Sequence, residues 1–239
     1  MLTKTKAIVL STIRYQEKSL IVKCFTQSQG VVSYFVPSAF SNKKNSQRIA
    51  YFQPLTILEI EVNHKNKGGL KYFKEVKVAV PYHTIPFDVV KSTIALFLSE
   101  ILHYVIKEEE KNESLYLFLE TAMTWLDTHD HAVNFHLNFL IELTKFLGFY
   151  PDLTNADFPF FDLNEGCFVL EATSSVIDEE ISQILKLFMS SSFDDTANFK
   201  LDYLKRQRLL EVLLDFYALH IENFKKPYSL EVLKEFYHV

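Results

Sequence analysis

The chain is poor in the residues on which most nucleotide and redox chemistry depends. Its 239 residues include only five glycines, Gly30, Gly68, Gly69, Gly148 and Gly166. Neither a phosphate-cradling P-loop nor the Gly-x-Gly-x-x-Gly turn of a dinucleotide site can be written from them. Two cysteines, Cys24 and Cys167, make no disulfide framework and cannot supply a multi-cysteine metal site within the chain. No apolar run approaches the ~20 residues of a membrane span, and the longest early one, residues 7–10, is too short for a secretory signal core. A cytoplasmic protein with reduced thiols and no membrane association is the resulting expectation. His-Glu-x-x-His and Gly-x-Ser-x-Gly are also missing, and neither cysteine has a histidine close in sequence. His129, His131 and His136 with Asp127 and Asp130 are the one cluster of metal-ligand residue types. His131 and His136 stand five apart, poor spacing for one helical face, so the cluster reads as a solvated turn between helices. Residues 108–110 and 178–180 are acidic runs that read as solvated helix ends. No catalytic set, cofactor or metal is expected, and the chain reads as no enzyme.

Acidic residues are scarce in one part only. Residues 1–80 carry four Asp and Glu against 13 Lys and Arg, whereas residues 81–239 carry 26 against 12. The overall charge of −5 therefore conceals a head of +9 and a body of −14. A cationic head on an acidic body suggests a polyanionic partner, most commonly nucleic acid.

Residues 1–80 are patterned as short strands. Segments 7–13, 19–26, 31–36, 56–62 and 70–80 are rich in β-branched and aromatic residues and are separated by polar turns, two of them centred on glycine. Thr56, Leu58, Ile60 and Val62 alternate with Ile57, Glu59 and Glu61, the period-two signature of a strand with one buried face. A five-stranded, all-antiparallel unit of this size closes most naturally into a small barrel. The oligonucleotide-binding (OB) type is the first expectation, and an SH3-like barrel is the alternative. After Pro81 the period becomes 3.6. Helices are expected at about 86–107, with Pro86 in the first turn, and at 113–126, 132–147, 176–189, 199–223 and 229–237, with Ser229 as N-cap of the last. The 132–147 helix is apolar almost all round, which predicts the centre of a bundle; residues 150–175 read as an irregular excursion. The expected organisation is α+β: an OB-type barrel over 1–80, then an all-helical domain over 81–239 with that insertion.

In OB folds the first and last inter-strand loops and the face of the second and third strands form the nucleic-acid groove. Arg14, Tyr15 and Lys18 bracket the first loop here, Lys43, Lys44 and Arg48 follow the third strand, and Lys65, Lys67 and Lys71 surround the last loop. Cations around a groove contact phosphates without reading sequence. Tyr15, Tyr34, Phe40 and Tyr72 are candidate base-stacking rings, although Tyr34 and Tyr72 individually read better as barrel core.

Several segments resemble the RecO family of bacterial recombination mediators. They are Thr5-Lys6-Ala7-Ile8-Val9-Leu10, then Tyr15-Gln16-Glu17-Lys18-Ser19-Leu20-Ile21-Val22, Phe25-Thr26 and Gly30, Phe52-Gln53-Pro54-Leu55, and Leu143-Thr144-Lys145-Phe146-Leu147-Gly148-Phe149-Tyr150-Pro151-Asp152-Leu153. The resemblance runs the length of the chain in the same order. It implies an OB domain followed by helices, and a non-catalytic activity in the nucleoid: binding single- and double-stranded DNA, annealing complementary strands and helping to load recombinase onto strands coated by single-strand-binding protein. It also implies RecR and the acidic, apolar C-terminal tail of single-strand-binding protein as partners. Many members carry two Cys-x-x-Cys zinc pairs after the segment that ends here at Leu153; this chain has Thr154-Asn155-Ala156-Asp157 instead. No zinc is expected, with the excursion held by Phe158, Phe160, Phe161 and Phe168.

Lys205, Arg206 and Arg208 beside Leu204, Leu209 and Leu210 form a second candidate site, suited to an acidic, apolar tail. The same residues also read as a helix face paired with Asp202 and Glu211. An RNA- or tRNA-binding OB accessory, and a scaffold whose basic head docks an acidic protein, are the alternative functions.

Overall fold

A computed structural model describes residues 2–41, 48–63, 71–107 and 110–235. The chain divides into two compact units, residues 1–128 and 129–239.

In the first unit β1 (Leu2–Tyr15), β2 (Ser19–Thr26), β3 (Gly30–Val36), β4 (Ile57–Asn63) and β5 (Lys71–Val80) close into a barrel in the order β1-β2-β3-β5-β4. Alternation decides what fills it. Ala7, Val9, Leu20, Val22, Cys24, Val32, Tyr34, Leu58, Ile60 and Val62 point inward, joined by Ala39 and Phe52 from the β3–β4 connection. Phe73 stacks between Tyr34, at 4.4 Å between centroids, and Phe52, at 5.7 Å. A bulge between Val9 and Ser11 bends β1, whose first half pairs with β4 and whose second half pairs with β2.

One pairing differs from the all-antiparallel expectation. β3 and β5 run parallel, with Tyr34 opposite Lys71 and Phe35 opposite Tyr72. Chain direction requires it: β4 runs against β1 and β5 against β4, so β5 reaches β3 pointing the same way.

Two helices belong to this unit, α1 (Val89–Val105) and α2 (Glu113–Thr128). The Asp88 side chain caps α1 by accepting from the Lys91 N–H. Pro86 lies in the preceding turn, closed by the Phe87 and Asp88 N–H groups on the Thr84 carbonyl, and not in the first helical turn. The linker is fixed by Asp127, which accepts from the backbone N–H groups of His83, Thr84 and Ile85 at 2.8–3.0 Å. The buried Lys91 ammonium donates to Thr84 Oγ1 at 2.7 Å and approaches the Asp127 carbonyl at 3.4 Å. Burial raises the Asp127 pKa, but the hydrogen bonds from His83, Ile85 and Thr84 outweigh it and hold the carboxyl below its usual value.

The second unit holds α3 (Phe135–Leu147), β6 (Phe160–Asp162), β7 (Cys167–Val169), α4 (Glu179–Met189), α5 (Phe193–Ala197), α6 (Tyr203–His220) and α7 (Leu230–Glu235). α3 packs against α4, α5 and α6 and is buried on most sides, as its all-round apolarity requires. It ends at Gly148, whose φ of 84° is left-handed. The 150–175 segment is less irregular than its composition suggests. β6 and β7 form a hairpin too short for alternation to show, with Phe161 against Phe168 at 5.2 Å and against Phe216 of α6 at 5.8 Å. Phe158 and Phe160 are half-buried. α5, absent from the periodicity reading, is defined by its ends: Ser192 and Asp195 form a reciprocal capping box.

Asp127→Ala should lower the unfolding free energy by about 3 kcal/mol in urea titrations, because it strands the backbone donors of His83, Thr84 and Ile85. The folded carboxyl titrates below its unfolded value of about 3.9. Its stabilisation is therefore complete above that pH and is lost as pH falls through the folded value. Asp127→Asn should remove this part of the acid sensitivity; an unchanged acid-unfolding profile would contradict the assignment.

Candidate nucleic-acid interface

Outward residues of the barrel line up across four strands. The register places Ile13 opposite Ile21, Ile21 opposite Phe35 and Phe35 opposite Tyr72, one transverse apolar row over β1, β2, β3 and β5. Ile13 is 58% exposed and Tyr72 50%. Tyr15, 43% exposed, meets Phe35 edge-on at 5.9 Å, and Phe35 meets Tyr72 edge-on at 5.7 Å. Together these large side chains form a contiguous apolar patch open to water, which makes the face a candidate binding surface.

Several of the expected cations surround the row. The Arg14 guanidinium lies 4.9 Å over the Phe40 ring and donates to the Glu17 carbonyl at 2.8 Å. The Phe40 N–H donates to the Lys18 carbonyl, which draws the loop after β3 onto the β1–β2 turn. Arg48 borders a recess of about 270 Å³ together with Phe35. Lys71 precedes Tyr72 at the start of β5. None of Arg14, Lys18, Arg48 and Lys71 has a carboxylate partner among the described residues. Lys43, Lys44, Lys65 and Lys67 lie outside the described residues.

Beside β4 the lysines are neutralised. Glu59 binds Lys4 at 3.0 Å and Lys77 at 2.8 Å, Glu61 binds Lys74 at 2.9 Å, and Lys6 reaches Glu120 of α2 at 2.5 Å. Hydrogen bonds from Lys77 and then Lys4 hold the Glu59 carboxyl below its usual value. The outward acidic residues of β4 thus cancel Lys4 of β1 and Lys74 and Lys77 of β5, whereas Arg14, Lys18, Arg48 and Lys71 beside the apolar row keep their charge.

Of the four candidate stacking rings, Tyr34 is fully buried and belongs to the core, while Tyr15, Phe40 and Tyr72 are exposed. Ile13, Ile21 and Phe35 share the face without having been singled out by composition. The alternation in β3, with Val32 and Tyr34 inward and Ser33 and Phe35 outward, is the signal that finds Phe35.

Lys205, Arg206 and Arg208 are not brought onto one face of α6. Arg206 is buried, donating from Nε to Asn134 Oδ1 at 3.0 Å and from a terminal nitrogen to the Leu201 carbonyl at 2.7 Å. Lys205 binds Glu180 at 2.5 Å and lies 3.9 Å from Asp202; Arg208 and Leu204 are exposed, and Leu209 and Leu210 are core. The Asp127 to His136 cluster does not converge on one point either, and it is not a uniformly solvated turn. Asp127 is taken up by residues 83–85, His129 lies 3.6 Å from Asp194, and His136 is buried in α3. Burial, then the Arg206 charge, pushes the His136 pKa down to about 3. Among the described residues no group of three His, Cys, Asp or Glu side chains is placed to hold a metal ion, and no helix is long and apolar enough to cross a membrane.

Fold and face together define an OB-type barrel with an exposed aromatic and cationic surface, followed by helices. Residues 1–82 match the family Recombination protein O N terminal, and residues 86–228 match Recombination protein O C terminal. The chain is 57% identical to the DNA repair protein RecO of Flavobacterium johnsoniae, over 99% of this chain and 100% of that protein. It is 39% identical to the protein of the same name from Christiangramia forsetii and 36% identical to that from Bacteroides fragilis, each over 99% of this chain and 100% of the relative. The chain belongs to the RecO family.

Replacing Arg206 with Ala should cost about 2 kcal/mol of stability, since Asn134 Oδ1 and the Leu201 carbonyl lose a charged donor. Arg208→Ala should change it by less than about 0.5 kcal/mol. Equal effects in urea unfolding would refute the distinction.

Proposed function

We propose that this RecO-family protein of recombinational DNA repair binds DNA along the exposed face of β1, β2, β3 and β5 and performs no bond chemistry. The observation that carries the reading is the row Ile13, Ile21, Phe35 and Tyr72, flanked by Tyr15 and by Arg14, Lys18, Arg48 and Lys71 without carboxylate partners among the described residues. Rings at this exposure stack on unpaired bases, each worth ~1–3 kcal/mol, and every base offers a π-face, so the binding is tolerant of sequence. The cations hold phosphates and release counterions, which serves duplex and single strand alike. Lys43, Lys44, Lys65 and Lys67, outside the described residues, are assigned to phosphate contact from the sequence alone.

Annealing follows from the same physics. A strand whose phosphates are neutralised on the face repels its complement less, so pairing is favoured while the protein remains attached. Loading of recombinase onto strands coated by single-strand-binding protein, with RecR as a partner, is the role in which such a surface acts. On α6 the residues open to the acidic, apolar tail of single-strand-binding protein are Leu204 and Arg208, with Lys205 held by Glu180.

Phe35→Ala with Tyr72→Ala should weaken single-stranded DNA binding by about 10- to 100-fold while leaving the salt dependence unchanged. Charge reversal at Arg14, Lys18, Arg48 and Lys71 should flatten the slope of log affinity against log salt by about 0.7 for each phosphate no longer neutralised, as should reversal at Lys43, Lys44, Lys65 and Lys67. Full affinity and slope in both sets would refute the interface. Single-stranded RNA outcompeting DNA at matched salt would point instead to an RNA-binding accessory.

A further inference from the structure

We infer that Lys23 and His103 form an additional contact for a backbone phosphate of the bound strand, at the border where helix covers the barrel. The inference rests on the reading of the exposed face as a DNA interface.

Ile21 and Lys23 are the outward residues of β2 left partly open to water, and the register sets Lys23 between Ser11 of β1 and Ser33 of β3. This second transverse row lies two residues, about 7 Å, along the strands from the apolar one. Beyond it the outer surface is closed. Ile8, Phe25 and Ile57 point outward yet are fully buried, α1 packs on β1, and Tyr116 of α2 lies against Phe25 at 6.1 Å. Lys23 is therefore the last outward side chain of β2 before the helical cover, and α1 delivers His103 to it.

The donor set suits a phosphate. Lys23 Nζ donates to the His103 carbonyl at 3.1 Å, which leaves two of its three N–H donors for another acceptor. His103 Nδ1 is enclosed and has no hydrogen-bond partner, so a phosphate contact of this ring goes through its other nitrogen, Nε2. The register partners of Lys23 on both neighbouring strands are serines, Ser11 and Ser33, and hydroxyls with cationic donors are the usual phosphate partners. The electrostatics are one-sided as well. Burial and then Lys107 lower the Lys23 pKa, and burial and then Lys23 lower that of His103, so each named charged neighbour is a cation. An arriving phosphate relieves that crowding, whereas a divalent cation would worsen it. The competing role for Lys23 is to cap the last turn of α1, and length dependence separates the two.

The test uses the full chain with oligothymidines of about 4 and about 16 nucleotides, the span of OB-fold site sizes. Lys23→Gln should weaken the longer oligonucleotide about 5-fold and reduce its salt slope by about 0.7, leaving the short one unchanged. Lys23→Arg should restore both values. His103→Gln should weaken the longer oligonucleotide with no change in thermal unfolding midpoint. Unaltered affinity and slope in Lys23→Gln overturn the inference, as does an equal loss at both lengths with a lowered unfolding midpoint, the result expected of a helix cap alone. Inorganic phosphate shifting the His103 ring resonances where the longer oligothymidine does not would assign the donors to a free anion and also overturn it. If Phe35→Ala with Tyr72→Ala binds as well as the parent chain, the interface reading itself falls; if that variant fails to bind while Lys23→Gln is normal, only the phosphate contact falls.

Discussion

The short parallel junction of β3 and β5 is the constraint on which the barrel and its surface both depend. It is two residues long, and they face opposite ways. Tyr34 enters the core and stacks on Phe73, which fixes β5 from inside; Phe35 leaves the core and meets Tyr72. Because side chains alternate along a strand, these two outcomes cannot be separated. A slip of β3 by one residue would expel Tyr34 into water and bury Phe35, disrupting core and face together. The apolar row is thus the outer consequence of the register that packs the core, and this explains how a protein keeps such rings in water.

Charge is sorted by the same geometry. Glu59 and Glu61 alternate with Leu58, Ile60 and Val62, so a strand that buries three aliphatic side chains must present its carboxylates outward, between β1 on one side and β5 on the other. Lys4, Lys74 and Lys77 converge on them. These pairs are exposed, and exposed pairs contribute little to stability. Their effect is on the field: they remove positive charge from the β4 side and leave it on the side of Phe35 and Tyr72, the asymmetry that the proposed DNA interface requires.

Period-two and period-3.6 patterns were enough to reveal all five strands of the barrel and six of the seven helices among the described residues, because core burial writes itself into sequence at those spacings. What escaped them was set by something other than periodicity. The parallel closure follows from chain direction around the barrel, which no local window contains. α5 is a single capped turn, β6 and β7 are three residues each, and Pro86 was displaced from α1 because Asp88 supplies a better cap. Lysines and arginines near turns could be picked out from sequence, but pairing could not: nothing local distinguishes Lys71, which has no carboxylate partner among the described residues, from Lys74, which has Glu61. The same blindness grouped Arg206 with Arg208, although two positions along a helix turn one side chain into the core and the next to solvent.

Arg206 also shows how the second unit is held. Asn134 donates to the Thr196 and Phe199 carbonyls and accepts from Arg206, and Asn138 donates to the Phe188 and Ser191 carbonyls. Polar groups at the start of α3 thereby tie down the chain on both sides of α5, where the backbone has few partners of its own. In the β6–β7 hairpin a carboxylate does comparable work. Asp162 accepts from the Asn164 and Glu165 N–H groups and from the Thr173 and Ser175 hydroxyls. Burial opposes its ionisation, but those donors, the Ser175 hydroxyl foremost, hold its pKa below the usual value. With Phe161 and Phe168 packed beside it, one ionised side chain ties the turn of the hairpin at residues 164–165 to the returning chain at 173–175.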